Sequence, residues 1–327
     1  MSISVVIPVW NGRDLLARLL DTLDAQTERP AEILVVDNGS TDGAPELARR
    51  RGARVIPMGR NAGFAPAVNR GIAESRGEWV AVLNSDVDLA PDYLEALAET
   101  GAWFATGRIL RAAAPDRIDA AFDAVCRGAT AWRVGNGRPD GPVFHSARAI
   151  WSAPWTAALF RRELFARAGV LEESFESYLE DVDFGLRCAR LSLAGQYVPG
   201  AVAWHRGSAA LGRWHPDTVC RIARNHILLA ARHYPRACLL RWMWPIVVAH
   251  LLWGGLAVRH GTGGAWARGV WQGLRQFRLA RGKSTVADPV LLRAILSDHE
   301  RLIRQIQSAT SFDFYWRVYF LLAGGGK

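Results

Sequence analysis

Residues 79–88, WVAVLNSDVD, form an apolar run that ends abruptly in polar and acidic residues. The apolar part, residues 79–83, is typical of a strand that is buried on both faces of a sheet. Asp86 and Asp88 follow directly, at the strand end where open α/β sheets bind their ligands. Next to a nucleotide phosphate, two such carboxylates would favour Mg²⁺ or Mn²⁺. The alternative is that both carboxylates only cap the next helix, whose first turn contains Asp92.

The segments before residue 79 alternate between strand and helix patterns. Strands are predicted at residues 3–9, 32–36 and 53–57, and helices at residues 15–23, 44–51 and 66–76. This alternation predicts an α/β fold with a mostly parallel sheet and right-handed crossovers. Because the chain has no GxGxxG after its first strand and no P-loop motif, a Rossmann dinucleotide fold and a P-loop fold are disfavoured.

Length and composition fit one large domain, or one domain with an extension. The chain has 327 residues, 50% of them hydrophobic and 22% charged, which is enough for a full core. Its four cysteines are scattered without CxxC spacing, so neither a zinc site nor a disulfide framework is expected, and a reducing cytoplasm is favoured. The first residues have neither the basic segment nor the cleavage site of a secretory signal, which argues against secretion.

The charge is unevenly distributed along the chain. Residues 1–200 carry 22 Arg against 26 Asp plus Glu, a net charge of −4. Residues 201–327 carry 18 Lys plus Arg against 5 Asp plus Glu, a net charge of +13. Such asymmetry predicts a polyanionic partner, either nucleic acid or an anionic membrane surface. No nucleic-acid-binding motif accompanies the basic residues, which favours the membrane and argues against nucleic acid.

The basic C-terminal part also has apolar and aromatic segments. Helices are predicted at residues 216–234, 288–308 and 312–323. Residues 242–258 are apolar but shorter than the ~20 residues of a membrane span, so an interfacial or re-entrant element is predicted, with a buried helical hairpin as the alternative. Residues 265–281 mix Trp, Phe and Arg, a composition that suits anionic lipid headgroups.

Polar residues after other predicted strands are further candidates for ligand binding. Asp37, after the second strand, is placed to accept a hydrogen bond from a base or a ribose, unless it only closes an Asx-turn. The acidic residues Glu180, Asp181 and Asp183 precede a helical periodicity. The helix dipole favours acids there, but one of them can also serve as a general base. His205 follows the last predicted strand, and a lone histidine is more often structural than a ligand.

Four separate motifs carry a family resemblance, in this order and spacing: VVIPVWNG, ILVVDNGSTDG, GRNAGFAPAVNRG and VLNSDVD. Together they resemble the nucleotide-sugar half of the family 2 inverting glycosyltransferases, in the rhamnosyltransferase-like branch. The match covers roughly residues 3–210 and implies a GT-A fold. We therefore expect a GT-A domain over residues 1–210, with a donor-binding half (1–100) and an acceptor half (101–210). A helical, membrane-associating extension is expected over residues 211–327.

The resemblance implies a role for each matching residue. Asp181 resembles the general base, with Glu180 as its catalytic neighbour, and Asp86 with His205 resembles the metal-binding pair. Asp88 is secondary, because the Asp86-Val87-Asp88 triplet is out of register with the family motif, and Asn84 stands in place of its first acid. The residues expected to bind the donor are Pro8, Trp10, Asn11, Asp37, Asn38, Gly39, Arg60, Asn61, Gly63, Asn69, Asn84, Ser85 and Asp86.

Residues 101–150, in the expected acceptor half, are less informative. A strand is predicted at residues 107–110, and a loop region rich in Gly and Pro at residues 116–141. An acceptor-side insertion is expected there, without a catalytic candidate. Further on, Trp155-Thr156-Ala157 stands where family members carry a glycine, which predicts a reshaped acceptor pocket.

The resemblance implies an inverting transferase that uses Mg²⁺ or Mn²⁺. It would move a sugar from a nucleoside-diphosphate donor, dTDP-rhamnose or a UDP-sugar, to a hydroxyl of a glycan or polyprenyl-linked acceptor. The expected place is the cytoplasmic face of the cell membrane, peripherally bound, and a homo-oligomer is left open. The alternative is a non-catalytic nucleotide-sugar-binding protein or a basic nucleic-acid-associated protein. The joint presence of Asp86, Asp181 and His205 favours the enzyme.

Overall fold

A computed structural model describes residues 2–207, 214–282 and 286–324 of the chain. The chain forms two compact units. The first unit comprises residues 1–123 and 133–208, and the second comprises residues 124–132 and 209–327. The short segment 124–132 therefore belongs to the second unit although the first unit precedes and follows it in sequence.

The first unit alternates strands and helices along its first hundred residues, as predicted. Its strands are β1 (Ile3–Val9), β2 (Glu32–Asp37), β3 (Arg54–Pro57), β4 (Trp79–Leu83), β5 (Val87–Leu89), β6 (Phe104–Arg111), β7 (Ala114–Ala120), β10 (Arg148–Ile150), β11 (Ala157–Arg161) and β12 (Gly195–His205). The hairpin of β8 (Asp123–Val125) and β9 (Ala131–Arg133) begins and ends in this unit, and its residues 124–132 belong to the second unit. Its helices are α1 (Arg13–Asp24), α2 (Ala44–Arg50), α3 (Phe64–Glu74), α4 (Tyr93–Ala98), α5 (Arg162–Ala168) and α6 (Glu180–Arg190).

The central sheet has the order β10-β12-β6-β11-β4-β1-β2-β3, with β5 paired to β12 and β7 to β6. The half β3-β2-β1-β4 is parallel, as the βα alternation predicts. The whole sheet is mixed, because β11 runs antiparallel to both β4 and β6. Strand β4 is buried along its whole length, and the apolar residues of α1 pack into the same core. The carboxyl ends of β1, β2 and β4 consequently lie at one edge of the sheet.

The prediction of a loop at residues 116–141 is wrong over much of that range. Strand β7 pairs with β6, and β8 pairs with β9 in a separate two-stranded sheet. Residues Ile118 and Phe122 are buried in this region. The sequence does not reveal these strands because β8 and β9 have only three residues each and β7 is interrupted by charged residues and has an irregular register against β6, so local periodicity carries little signal.

The second unit is helical over residues 214–282 and 286–324. Its helices are α7 (Pro216–His233), α8 (Arg236–Arg241), α9 (Met243–Arg259), α10 (Gly263–Gly282), α11 (Pro289–Thr310) and α12 (Phe314–Leu322). Helix α10 packs closely on α7 at two glycines: a Cβ at Gly269 would lie 2.2 Å from the carbonyl oxygen of Cys220, and one at Gly273 would lie 2.7 Å from Cβ of Ile227. No helix in residues 2–207, 214–282 or 286–324 is long and apolar enough to span a bilayer.

Residues 242–258 were predicted as an interfacial or re-entrant element, with a buried helical hairpin as the alternative, and helix α9 matches neither completely. One of its faces is buried, including Val248 and Ala249. The opposite face is exposed, with Trp244 at 59%, Leu251 at 61% and Val258 at 66% of their possible surface. A fully buried hairpin is therefore wrong for this segment, because an apolar stripe stays open.

Candidate active site

The acidic segment after β4 lies beside the end of β12. Strands β5 and β12 pair antiparallel, with Val87 opposite His205, so the strand pairing places Asp86 next to the histidine ring. Oδ1 of Asp86 lies 3.3 Å from Nε2 of His205. Asp86 is 4% exposed and therefore buried. Two residues that are 119 positions apart are thus brought together by one strand pairing.

The other ring nitrogen of His205 has a carboxylate partner that the sequence did not reveal. Nδ1 of His205 lies 2.9 Å from Oδ2 of Asp119. Burial opposes charging of the imidazole, but its hydrogen bonds to Asp119 and Asp86 outweigh burial and raise the pKa of His205 to about 9. Burial alone would raise the pKa of Asp119, yet the bond to His205 and nearby arginines lower it.

Asp88 points to different partners. Its Oδ2 lies 3.1 Å from Nη2 of Arg18 and 2.5 Å from Nη2 of Arg206. The helix-capping alternative for the two acids is wrong, because the N-cap of α4 is Asp92 and Asp88 lies within β5. Arginine neutralises Asp88, whereas Asp86 faces a histidine, so the two carboxylates have different environments.

The pair Asp86 and His205 fits a metal that the substrate helps to bind. Within residues 2–207, 214–282 and 286–324, no three His, Cys, Asp or Glu side chains form a metal-binding group. Mg²⁺ is commonly held by one or two carboxylates together with substrate phosphates, at about 2.1 Å per ligand, which places neighbouring ligands about 3 Å apart. The 3.3 Å separation suits that geometry. Asp119 on the far ring nitrogen matches the carboxylate that usually orients a metal-binding histidine.

Two of the expected donor-binding loops meet at the carboxyl ends of β1 and β2. The backbone N–H of Asn11 donates to Oγ of Ser40 (2.8 Å), and the N–H of Thr41 donates to Oδ1 of Asn11 (3.0 Å). Asp37 is buried, and its Oδ1 accepts from the N–H of Ser40 at 2.8 Å. The turn-closing alternative for Asp37 is therefore present, and its role in binding a base stays a prediction.

The loop at residues 60–63 packs against the end of β2. Nδ2 of Asn38 donates to the carbonyl of Gly63 (3.1 Å), and the N–H of Gly63 donates to Oδ1 of Asn61 (3.1 Å). Gly39 has φ 80°, and a Cβ there would lie 3.1 Å from Cα of Arg60. Only glycine combines this backbone conformation with so close an approach. The structure thus brings five expected donor-binding residues together at the end of β2: Asn38, Gly39, Arg60, Asn61 and Gly63.

Asn69 has a different place. Its Nδ2 donates to the carbonyl of Leu171 (2.9 Å) and to Glu173 (3.0 Å), and its Oδ1 accepts from the N–H of Leu171. These bonds tie α3 to a later loop, so the side chain of Asn69 is engaged in structure.

The remaining expected donor residues differ in exposure. Trp10 is 53% exposed just beyond β1, whereas Pro8 is half-buried opposite Val36. Asn84 and Ser85 are half-buried, and the N–H of Asn84 donates to the carbonyl of Thr156 at 2.9 Å. Their roles in donor binding stay predictions.

The second acidic cluster lies in the first turn of α6, as predicted. Glu180 and Asp181 are each 7% exposed, and Asp183 is fully buried with its Oδ2 3.0 Å from Nε of Arg187. Helix α6 packs on the backbone of residues 151–152, where a Cβ at Gly185 would lie 2.5 Å from Cβ of Ser152. This contact sets the distance between the acidic turn and the neighbouring backbone.

Arg133 lies in residues 101–150, the stretch that was less informative in sequence, and it contacts Asp181, the predicted base. Nη2 of Arg133 lies 2.8 Å from Oδ2 of Asp181, and its Nε lies 3.4 Å from Oδ1 of Asp123. Although burial opposes the charge, Asp123, Asp181 and Asp119 raise the pKa of the guanidinium. Arg133 therefore interacts electrostatically both with Asp181, the predicted base, and with Asp119, the partner of His205.

Burial keeps the two other carboxyls of this cluster partly protonated near neutral pH. It raises the pKa of Asp123 to about 7, against the charge of Arg133. Burial and the neighbouring Asp181 raise the pKa of Glu180 to about 8.

The prediction that residues 101–150 contain no catalytic candidate overlooked Asp119, Asp123 and Arg133. One signal was available: Asp119 and Asp123 interrupt the apolar segment IDAAFDAV, and buried acids in such a segment indicate a specific partner. The partner itself, Arg133, has no local signature.

The fold and the site define a class: a nucleotide-sugar-dependent transferase with a GT-A-like α/β fold. The profile of glycosyl transferase family 2 matches residues 4–102. The chain is 31% identical over 311 residues to the N-acetylglucosaminyl-diphospho-decaprenol L-rhamnosyltransferase of Mycobacterium tuberculosis, covering 78% of this chain and 90% of that protein. The chain therefore belongs to glycosyltransferase family 2, and it is a glycosyltransferase enzyme, as the sequence motifs predicted.

Other comparisons cover a smaller part of the chain or support the fold. The succinoglycan biosynthesis protein ExoO of Rhizobium meliloti is 35% identical over 100 residues, 30% of this chain and 29% of that protein. GalNAc-T7, solved with UDP, GalNAc and Mn²⁺, superposes with a TM-score of 0.62 at 14% identity, over 94% of this chain and 58% of its own. The mannosyltransferase PcManGT of Pyrobaculum calidifontis, solved with GDP-Man and Mn²⁺, superposes with a TM-score of 0.51 at 17% identity, over 98% of this chain and 86% of its own. At such identities the two structures establish the fold only.

Proposed function

We propose that this enzyme transfers L-rhamnose from dTDP-rhamnose to a hydroxyl of a polyprenyl-diphosphate-linked sugar, with inversion at the anomeric carbon. The observation that carries the proposal is the rhamnosyltransferase of Mycobacterium tuberculosis, to which the chain is similar over 90% of that protein's length. The name of that enzyme gives its acceptor as an N-acetylglucosaminyl-diphospho-decaprenol. A UDP-hexose is the second donor to be tested, since the resemblance alone does not separate the two.

In this proposal, Asp181 is the general base. Its carboxylate lies at the start of α6 and is held by Arg133 at 2.8 Å. It removes the proton of the acceptor hydroxyl while that oxygen attacks the anomeric carbon from the side opposite the diphosphate. A positioned base of this kind typically contributes about 10²–10⁴-fold to the rate.

Asp86 and His205 hold a divalent cation, Mg²⁺ or Mn²⁺, in this proposal. When bound, the cation neutralises the charge that develops on the departing nucleoside diphosphate. Asp119 keeps the His205 ring oriented through its 2.9 Å bond to Nδ1. Asp37, Asn38 and the loop at residues 60–63 then bind the base and ribose.

We further propose that the second unit attaches the enzyme to an anionic membrane surface. Trp244, Val247, Leu251 and Val258 are exposed and fall within one narrow arc of α9. Exposed arginines flank this stripe at positions 241 and 259. On α10, Arg268, Arg275 and Arg278 are exposed together with Trp271 and Leu274. Apolar anchors with a basic surround match the physics of interfacial binding.

A donor panel tests the transfer. Purified protein is incubated with Mn²⁺ or Mg²⁺, a polyprenyl-diphosphate-linked GlcNAc, and dTDP-rhamnose, UDP-glucose or GDP-mannose in parallel. Release of dTDP together with a product heavier by one deoxyhexose supports the proposal. Transfer from another donor alone contradicts rhamnose, and absence of transfer from every donor contradicts the proposed activity.

Vesicle co-sedimentation tests the membrane surface. Full-length protein should sediment with vesicles that contain anionic lipid, less so at high salt, and Leu251→Asp should weaken this binding strongly. Leu191→Asp, at an exposed leucine (41%) of the first unit, is the matched control and should bind like the wild type. Protein that stays in the supernatant with every lipid and salt would show that the stripe on α9 serves another purpose.

A further inference from the structure

Arg133 lies among more carboxyl groups than one guanidinium can neutralise. It contacts Asp181 at 2.8 Å and Asp123 at 3.4 Å. Asp119 is near enough to act on its charge. Glu180, next to Asp181 in sequence, is buried and lies in the same field. Asp123, Glu180 and Asp181 therefore share this one cation, whose side chain is itself 36% exposed, whereas Asp119 is also bonded to His205.

Two of these carboxyls are incompletely bonded. Oε2 of Glu180 and Oδ2 of Asp123 are buried and find no hydrogen-bond partner among residues 2–207, 214–282 and 286–324. Leaving such atoms unsatisfied costs stability, so an arrangement of this kind points to a ligand or to a functional constraint. A cluster whose only task was to stabilise the fold would be expected to satisfy these atoms.

Both oxygens of Asp181 are anchored. Oδ2 accepts from Nη2 of Arg133 (2.8 Å), and Oδ1 accepts from the N–H of Val182 (2.9 Å). The planar guanidinium has a fixed fork of donors, so it orients a carboxylate as well as neutralising it. Asp123, 3% exposed, accepts from Nε of the same guanidinium at 3.4 Å.

Resting on the proposed function, we infer that Arg133 is the positioning residue for the general base, with Asp123 as the counter-ion that aims it. Arg133 orients the Asp181 carboxylate toward the acceptor hydroxyl. Burial favours the protonated form of Glu180 beside it, which reduces the negative charge of the buried cluster. The open oxygen of Glu180 is then free to bond a hydroxyl of the bound acceptor.

The charge of Arg133 determines how the stability of the folded protein changes with pH, and this dependence can be measured without substrate. Burial raises the pKa of Asp123 and Glu180, so the folded state keeps protons that the unfolded state releases, and stability falls as the pH rises from about 4 to about 8. Arg133 lowers both pKa values, so its removal must make this loss larger and extend it to higher pH. A residue that only fills space would not produce this pH dependence.

The first experiment compares thermal unfolding of Arg133→Gln with wild type at pH 5 and pH 8. We expect a small difference at pH 5 and a melting temperature lower by about 6 °C or more at pH 8. The double variant Arg133→Gln/Asp123→Asn should recover most of that loss. Arg49→Gln, which breaks the exposed ion pair with Glu46 on α2, is the control and should show a small effect without pH dependence. A loss that is equal at both pH values overturns the inference.

The second experiment measures transfer from dTDP-rhamnose to the lipid-linked GlcNAc acceptor. Arg133→Gln and the double variant should both lose about 10–100-fold in kcat with donor KM changed less than about 3-fold, since misplacement of a base lowers turnover. Arg133→Lys, which keeps the charge but not the fork, should recover part of kcat. Full activity in the double variant would reduce Arg133 to a neutraliser of Asp123 and overturn its positioning role.

The outcomes separate this inference from the proposed function. If the wild type transfers no sugar, the proposed function fails, and the pH-dependent unfolding still decides whether Arg133 neutralises the cluster. If Arg133→Gln does not fold, the double variant carries the test, and its failure to fold overturns the assignment of Asp123 as the counter-ion.

Discussion

Gly185→Ala is the substitution whose effect can be worked out most directly from the structure. A Cβ at position 185 would lie 2.5 Å from Cβ of Ser152 and 2.6 Å from the carbonyl oxygen of Trp151. Carbon atoms in contact prefer about 3.5–4.0 Å, so α6 and the 151–152 backbone must move apart by about 1 Å. Neither neighbour can turn away, because one is backbone and the other is the first atom of a side chain.

Such a shift acts on both stability and turnover. Overpacking of a buried contact typically costs about 1–3 kcal/mol. Asp181 lies four residues before Gly185 on the same helix, so it moves with the helix, and a displacement of about 1 Å at a catalytic group can cost ~10²-fold in rate. We expect Gly185→Ala to fold with a melting temperature lower by several degrees and to lose kcat by roughly 10–100-fold.

The assay is transfer from dTDP-rhamnose at saturating donor, with thermal unfolding measured on the same preparation. Gly255→Ala in α9 is the control, since a Cβ at position 255 meets no heavy atom within 4 Å. There alanine should leave kcat unchanged and stabilise the helix by up to about 1 kcal/mol. Wild-type kcat in Gly185→Ala would refute the idea that this contact positions the base.

Three further predictions concern the two acidic clusters and the helical unit. Asp181→Asn should keep donor affinity and lose transfer by ~10²-fold or more, and near-normal turnover would remove it from the chemistry. Asp86→Ala should abolish Mn²⁺-dependent binding of dTDP in calorimetry. Asp88→Ala should have a milder effect on that binding, because Asp88 binds two arginines. Equal losses would contradict the alignment with the family motif that makes Asp86 the metal ligand. Burial lowers the pKa of His250 and His299 to about 4, so unfolded histidine gains protons first as the pH falls below about 6.5. Each should then cost about 2 kcal/mol of unfolding free energy between pH 7.5 and pH 5, measured by urea unfolding as the difference between the wild type and His250→Gln or His299→Gln, since Asp123 and Glu180 change the wild-type stability in the opposite direction. A difference that does not vary with pH would contradict their buried, neutral state.

The sequence predicted the donor half of the fold well. Strands β1, β2 and β4 and helices α1 to α3 have strong periodicity, because each buries one continuous apolar face or run in the core. The acidic ends of β4 and the first turn of α6 were also identified, since carboxylates next to apolar segments stand out locally. The family resemblance then supplied roles that spacing alone left open.

Only the tertiary structure decided which residues share a site. Asp119 reaches His205 through the pairing of β7 with β6 and of β6 with β12, and Arg133 reaches both Asp123 and, on helix α6, Asp181. The short strands β7 to β9 gave no periodic signal, so residues 116–141 were predicted as a loop. An ion pair is specified by where two side chains meet in space, and local sequence patterns carry no record of that meeting. The same reason explains why α9 proved half-exposed: its composition is apolar throughout, and only packing selects the face that is buried.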